Sequence, residues 1–313
     1  MRVTVTGGAG FIGANLVIEL VRRHHQVVVL DDLSTGLRAN LAGTPVELLV
    51  GSILDPEALA AACAGADSVV HLAAVPSVAR SLADPRRSHD TNATGTLAVL
   101  EAARATGAHV VVASSSSVYG NSPGLPRSEE LACRPASPYA AGKLAAEGYA
   151  LAYRAAFGLD CVAFRLFNVF GPGQRADHAY AAVIPRFVDA ALRSEPVTVD
   201  GDGEQSRDFT YVDTAVAVLA DTVQRRLSTG DPVNLAFGNR TTVNETVALL
   251  SVLLGRPIEV VHGPPRPGDV RHSQASGESM RALFPSIAPV PVKSGLRRTV
   301  EWMRSALAPT GPP

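Results

Sequence analysis

Tyr139 and Lys143 stand four residues apart, after a run of serines from Ser114 to Ser117. The alanine-rich stretch from Tyr139 to Phe157 reads as a helix. Residues at i and i+4 share a helix face, so phenol and ammonium point the same way. A free phenol ionises near pH ~10, and a neighbouring cation favours the phenolate. The pair therefore suits removal of a proton from an alcohol. A serine hydroxyl brought alongside would hold the reacting oxygen. This spacing is common on exposed helices, so its chemistry depends on what the rest of the chain supplies.

The start of the chain supplies it. Arg2 to Thr6 is a short β-branched run, a buried strand by pattern. Gly7-x-x-Gly10-x-x-Gly13 follows at once, and Ala14 to Arg23 reads as a helix. Between strand and helix, such glycines let the backbone turn tightly and approach a pyrophosphate. The helix N-terminus then offers free N–H groups to the phosphates. A second strand, Gln26 to Leu30, ends at Asp31. A carboxylate there suits a ribose 2′-hydroxyl and repels a 2′-phosphate. The cofactor expected is NAD, not NADP.

Composition fits a folded globular protein with a large core. The chain has 313 residues, 46% hydrophobic and 18% charged, enough for one large or two modest domains. A net charge of -1 gives no bulk attraction to nucleic acid or membrane. Cys63, Cys133 and Cys161 are isolated and odd in number, with neither disulfide nor metal spacing. The first strand begins at residue 2 and no apolar run would span a bilayer. A cytoplasmic protein is expected.

Strands and helices alternate onward: a strand at Val46 to Val50, a helix at Pro56 to Cys63, a strand at Ser68 to Ala74, a long helix at Asp90 to Thr106, then strands at Ala108 to Ala113 and Cys161 to Leu166. Alternation predicts an α/β fold, a Rossmann-type doubly wound parallel sheet with helices on both faces. Ligands bind beyond the carboxyl ends of such strands. The serine run, the Ala73-Ala74 loop and the Asn168 loop all leave such ends. His71, among apolar neighbours, is expected to be packed and hydrogen-bonded; His24 and His25 are expected to meet a helix C-terminus. After Gly171 the pattern breaks up. A helix at Val212 to Arg226 and a strand at Val233 to Phe237 return, and Thr242 caps a helix from Val243 to Leu254 that Gly255 stops. The expected division is an NAD-binding domain over 1–170, rejoined by about 212–237, and a smaller mixed α/β substrate domain over 171–211 and 238–313. Arg207 and Arg266 are a candidate clamp for a diphosphate.

With both signatures in view, the chain resembles the extended short-chain dehydrogenase/reductases of the NAD-dependent epimerase/dehydratase type, and within them UDP-sugar 4-epimerases. The segments carrying the likeness are Thr6 to Gly13, Asp31-Asp32-Leu33, His71 to Ala74, Ser114 to Gly120, Ser137-Pro138-Tyr139 with Lys143, Phe167-Asn168-Val169 and Ser206 to Phe209. The resemblance implies Tyr139 as base, Lys143 on the nicotinamide ribose lowering the phenol's pKa, and Ser115 at the sugar 4-oxygen with Ser116 assisting. It implies cofactor contacts from Gly7, Gly10, Phe11, Ile12 and Gly13. A second group is Asp31, Asp32, Leu33, Ser34, Thr35 and Gly36, with Ser52 and Ile53 at the adenine. Leu72, Ala73, Ala74, Asn92 and Ala113 line the cofactor. Asn168, Val183, Arg207, Arg266 and Asp269 fall on UDP-binding positions. The implied reaction oxidises sugar C4 to a keto group and reduces it from the other face. A homodimer through 90–106 and 139–157 is implied too.

Related dehydratases carry Asp and Glu where this chain has Ser116 and Ser117, and related decarboxylases a glutamate at Ser117. Epimerisation is therefore expected, with dehydratase or decarboxylase chemistry the alternative and a non-catalytic NAD-binding regulator the reading of another class. The sugar stays open between hexose, N-acetylhexosamine and hexuronate. The small Ser273 leaves room for an N-acetyl group, and segments 179–187 and 268–273 resemble N-acetylhexosamine epimerases. Arg175 or Arg186 would meet a carboxylate.

Overall fold

A computed structural model describes residues 1–177, 180–265 and 270–307. Seven strands form one parallel sheet: β1 (Arg2–Thr6), β2 (Gln26–Asp31), β3 (Glu47–Val50), β4 (Ser68–His71), β5 (His109–Ser115), β6 (Cys161–Leu166) and β7 (Val233–Leu235). Their order is β7-β6-β5-β4-β1-β2-β3. Side chains alternate across a strand, and here both faces are apolar. Val27 and Val29 enter one core while Val28 and Leu30 enter the other. A sheet covered on both faces needs such unbroken valine-rich strands.

The order reverses between β1 and β4, so the loops leaving these strands diverge and open a crevice. Helices α1 (Phe11–Arg22), α2 (Pro56–Cys63), α3 (Gly95–Thr106), α4 (Pro138–Phe157), α5 (Val183–Leu192), α6 (Val212–Arg225) and α7 (Val243–Leu254) cover the faces and the segments beyond the sheet. The cap of α7 reads directly from sequence. Thr242 Oγ1 accepts from Glu245 N, the Glu245 carboxylate accepts from Thr242 N, and Gly255 takes the left-handed turn at φ +68°.

The segment before α3 is more broken than predicted. Short helices Val78–Ala83 and Pro85–His89 precede a π-helical stretch, Asp90–Thr94, that runs into α3. His24 and His25 also differ from expectation. α1 stops at Arg22, His24 turns left-handed at φ +62°, and neither ring nitrogen of His25 finds a partner. Burial lowers the His25 pKa, so it is not a charged helix cap.

Beyond the sheet, Val169–Phe170 pairs with Thr210–Tyr211, Ser206–Arg207 with Thr241–Thr242, and Val197–Asp200 with Val260–Gly263. Asp208 ties these pieces together. Its buried carboxylate accepts from the backbone N–H groups of Gly238, Asn239 and Ala275. Burial raises its pKa to about 6 against the pull of those donors. Ala275 in turn bridges to Arg127.

Candidate active site

A cleft of about 580 Å³ lies at the reversal of strand order. At one end, β1 runs into a glycine cradle. Gly7 sits at φ +72°, and a Cβ there would lie 2.7 Å from Ala73 N. A Cβ on Gly13 would lie 2.2 Å from Gly7 O. No side chain fits at either place, so strand, turn and helix close tightly. Gly10 caps α1 without a side-chain acceptor. The first N–H groups of α1 remain for an anion; Phe11, Ile12 and Gly13 line the cleft.

Asp31 ends β2 beside this cradle. Its carboxylate accepts from Ala9 N and Leu33 N, each at 2.9 Å. Burial raises its pKa, and these two donors oppose the rise. A carboxylate has about four lone-pair sites, so acceptor capacity remains for ribose hydroxyls. Asp32, Ser34, Thr35, Ser52, Ile53, Leu72, Ala73, Ala74 and Ala113 line the same cleft. Leu33 and Gly36 support it from behind: Leu33 packs on the core at φ +56°, and Gly36 abuts the Asp31 carboxylate. Asn92 does not line the cleft. It braces the loop that does, its amide bonding both N and O of Val75. Glycine cradle, free helix N-terminus and an acid with acceptor capacity to spare together fit NAD.

The opposite end holds the reactive groups. Ser137 Oγ accepts from Ala140 N and starts α4, placing Tyr139 in its first turn. Ser115, leaving β5, is within hydrogen-bonding reach of Tyr139. Its Oγ accepts from both N and Oγ of Ser117, which leaves its own proton for Tyr139. Ser116, Ser117, Asn168, Arg207 and Ser273 complete this end.

The Tyr–Lys relation departs from the expected one. Lys143 Nζ donates to Ala113 O at 2.8 Å, and burial lowers its pKa to about 8. The Tyr139 pKa is raised, chiefly by burial, and the Ser115 hydrogen bond is what opposes the rise. We therefore expect kcat/KM to climb into the alkaline range as the phenol ionises. Ser115→Ala removes the donor that favours phenolate, so a pH series should show the ascending limb moved to higher pH. An unmoved limb would separate Ser115 from the ionisation.

His71 behaves as expected of a packed histidine. Thr96 Oγ1 spends its proton on Asn92 O, so it accepts from His71 Nε2. Nδ1 then accepts from Thr6 Oγ1 at 2.7 Å. Burial, aided by the Lys143 charge, lowers its pKa to about 3. The ring is neutral and structural.

Three substrate-side expectations fare differently. Arg175 is drawn into a bidentate pair with Asp177 and does not line the cleft. Val183 and Arg186 line a second, smaller cavity of about 240 Å³, which shares Asn168, Gln174 and Arg207 with the first. Arg266 and Asp269 lie outside the described residues. Arg87, Thr91, Arg127 and Gln174 also line the main cleft, and sequence reasoning missed all four. Among the described residues, no cluster suited to a metal ion and no helix long and apolar enough to cross a membrane is present.

The sequence profile of the NAD dependent epimerase/dehydratase family matches residues 3–236. A UDP-glucose 4-epimerase of Mycolicibacterium smegmatis is 37% identical over 97% of this chain and 99% of its own length. The structure of a UDP-N-acetylglucosamine 4-epimerase from Methanobrevibacter ruminantium, in complex with UDP-N-acetylmuramic acid, superposes at a TM-score of 0.92 with 36% identity, over 98% of this chain and 99% of the other. A Thermus thermophilus UDP-glucose 4-epimerase in complex with NAD gives 0.89 and 36%, covering 98% and 100%. The chain belongs to the NAD-dependent epimerase/dehydratase family. It is an enzyme, and its cofactor is NAD.

Proposed function

We propose that the protein interconverts UDP-sugars epimeric at C4. The observation that carries this reading is one cleft holding a glycine cradle, the Asp31 carboxylate and the Ser115–Tyr139–Lys143 group. The relatives' activities support it. Tyr139 takes the proton of the sugar 4-hydroxyl and later returns it. Ser115 donates to the phenolate and meets the 4-oxygen. Lys143, held by Ala113 O, presents its charge to the cofactor ribose. NAD supplies a reversible hydride acceptor. Asp31 holds the adenosine ribose, and Arg207 and Asn168 face the nucleotide half of the substrate. Residues 1–170 and about 212–237 form the cofactor half in this reading, and 171–211 with 238–313 the substrate half. The protein acts in the cytoplasm as a homodimer through helices α3 and α4, where Tyr149 and Phe157 are exposed.

Ser116 and Ser117 support epimerisation over dehydration or decarboxylation, because neither supplies the carboxylate those reactions need. The test is incubation of purified protein with UDP-glucose, UDP-N-acetylglucosamine and UDP-glucuronate separately, with anomeric protons followed by NMR. Formation of a 4-epimer is the expected result. A 4-keto-6-deoxy sugar, a pentose with carbon dioxide, or no turnover with NAD added would overturn it.

A further inference from the structure

Arg127 enters the cleft from a loop whose sequence has no regular period. Its backbone is fixed at both ends: N donates to Gln274 O, and O accepts from Ser276 N and Asn234 Nδ2. Its side chain is 5% exposed and lines the cleft beside Ser116, Ser117 and Ser273. The guanidinium lies 5.5 Å from the Tyr119 ring centroid, and Nη2 donates to Gly120 O. Nε has no acceptor. Among the described residues, Arg127 forms no ion pair with a carboxylate and no hydrogen bond from Nη1.

This is an unusual state for a buried cation. Arg165, packed on the same tyrosine ring, is matched by Glu147 at 2.6 Å. Arg127 has no such counter-charge. A buried charge is costly unless paired, and a guanidinium does not escape by losing its proton. Burial and the charge of Arg207 lower its pKa, while Tyr119 raises it. Its guanidinium packs on Tyr119 and Gly120, which follow the serine run directly, and it lines the cleft that also holds Tyr139. The missing anion therefore belongs to the sugar end. A carboxylate suits a guanidinium fork, and the Ser116 hydroxyl lines the same cleft.

We propose that Arg127 is a specificity-determining residue that pairs with a carboxylate on the sugar ring, making the favoured substrate a nucleotide-linked hexuronate. The proposal rests on the UDP-sugar reading above and chooses among its sugars. It replaces Arg175, which Asp177 occupies, and Arg186, which lines the second cavity.

Calorimetric binding of UDP-glucuronate, UDP-glucose and UDP to the NAD-loaded protein provides the test, so the readout does not need turnover. The native protein should prefer UDP-glucuronate to UDP-glucose. Arg127→Met should cut that preference about 100-fold, and Arg127→Lys should restore part of it. In turnover the same change should appear mainly in KM for the uronate. Equal weakening of all three ligands would place Arg127 on the diphosphate or in the scaffold and overturn the proposal. So would a native preference for the neutral sugar. Uronate preference lost in Arg127→Met without epimer formation would instead sink the epimerase reading and leave Arg127 standing. Thermal melts of both variants separate misfolding from lost recognition.

Discussion

Tyr139→Phe should lower kcat by about three orders of magnitude, within the range that one general base contributes, while the protein keeps its NAD. In the proposed reaction the phenol is the group, among the described residues at the reactive end, that takes and returns the 4-hydroxyl proton. Lys143 carries an ammonium directed at Ala113 O, His71 is neutral with both nitrogens engaged, and Ser115 acts on the phenol by favouring its ionised form. Phenylalanine keeps the ring and removes only the titrating oxygen. The glycine cradle and Asp31, which hold the far end of the cofactor in our reading, stand on β1 and β2, away from α4. Cofactor absorbance of the purified variant and NMR of the epimer together check both halves. The residual rate should also lose its alkaline limb. Activity within a few-fold of native would take Tyr139 out of the mechanism.

Much of the fold was legible because the strands of the sheet are short, mostly apolar and rich in β-branched residues, and lie between turn residues. Thr242, Glu245 and Gly255 announce α7 at both ends, since caps are local chemistry. The stretch from Val78 to Thr94 was less legible. Asp84 and Pro85 start one short helix, and nothing local marks the π turn after it. The site divides in the same way. Gly7, Gly13, Asp31, Tyr139 and Lys143 lie within local motifs. Arg127 does not, because its place is set by a bridge to Ala275, 148 positions away in sequence (275 − 127). Arg175 misled because its partner, Asp177, stands two residues on and holds it on the surface. The expected lowering of the Tyr139 pKa failed for a related reason. Helical spacing puts two side chains on one face but does not say where the longer one bends, and the ammonium bends to Ala113.

Behind the serine run, Ser114, Glu147, Arg165, Tyr119 and Asn234 form a buried chain of polar contacts, and its removal should have the largest effect on stability. Arg165 donates to both oxygens of Glu147, at 2.6 and 2.9 Å, with each side chain 4% exposed. Ser114 Oγ donates to the same carboxylate, and Arg165 Nη1 donates to Tyr119 OH, which donates to Asn234 Oδ1. Burial works against the Arg165 charge, yet Glu147 and Tyr119 hold its pKa above the ordinary value. Glu147→Ala leaves that cation without its counter-charge, though Tyr119 OH and Glu129 O still accept from it, and leaves the Ser114 hydroxyl only a long contact to Lys143 O. Loss of one member of a buried pair costs about 3–5 kcal/mol, and urea denaturation should register a fall of that size. The double variant Glu147→Leu with Arg165→Met removes both charges and should recover most of it, since apolar replacement of a whole buried pair is often close to neutral. Its remaining deficit should come from Ser114 and Tyr119, each of which loses a partner. A double variant no more stable than Glu147→Ala would show that the stranded charge is not the source of the loss. Because Ser114 and Tyr119 flank Ser115 to Ser117, Glu147→Ala protein that still folds should also turn over more slowly. The pair thus connects the rigidity of β5 and α4 to the alignment of Ser115 with Tyr139.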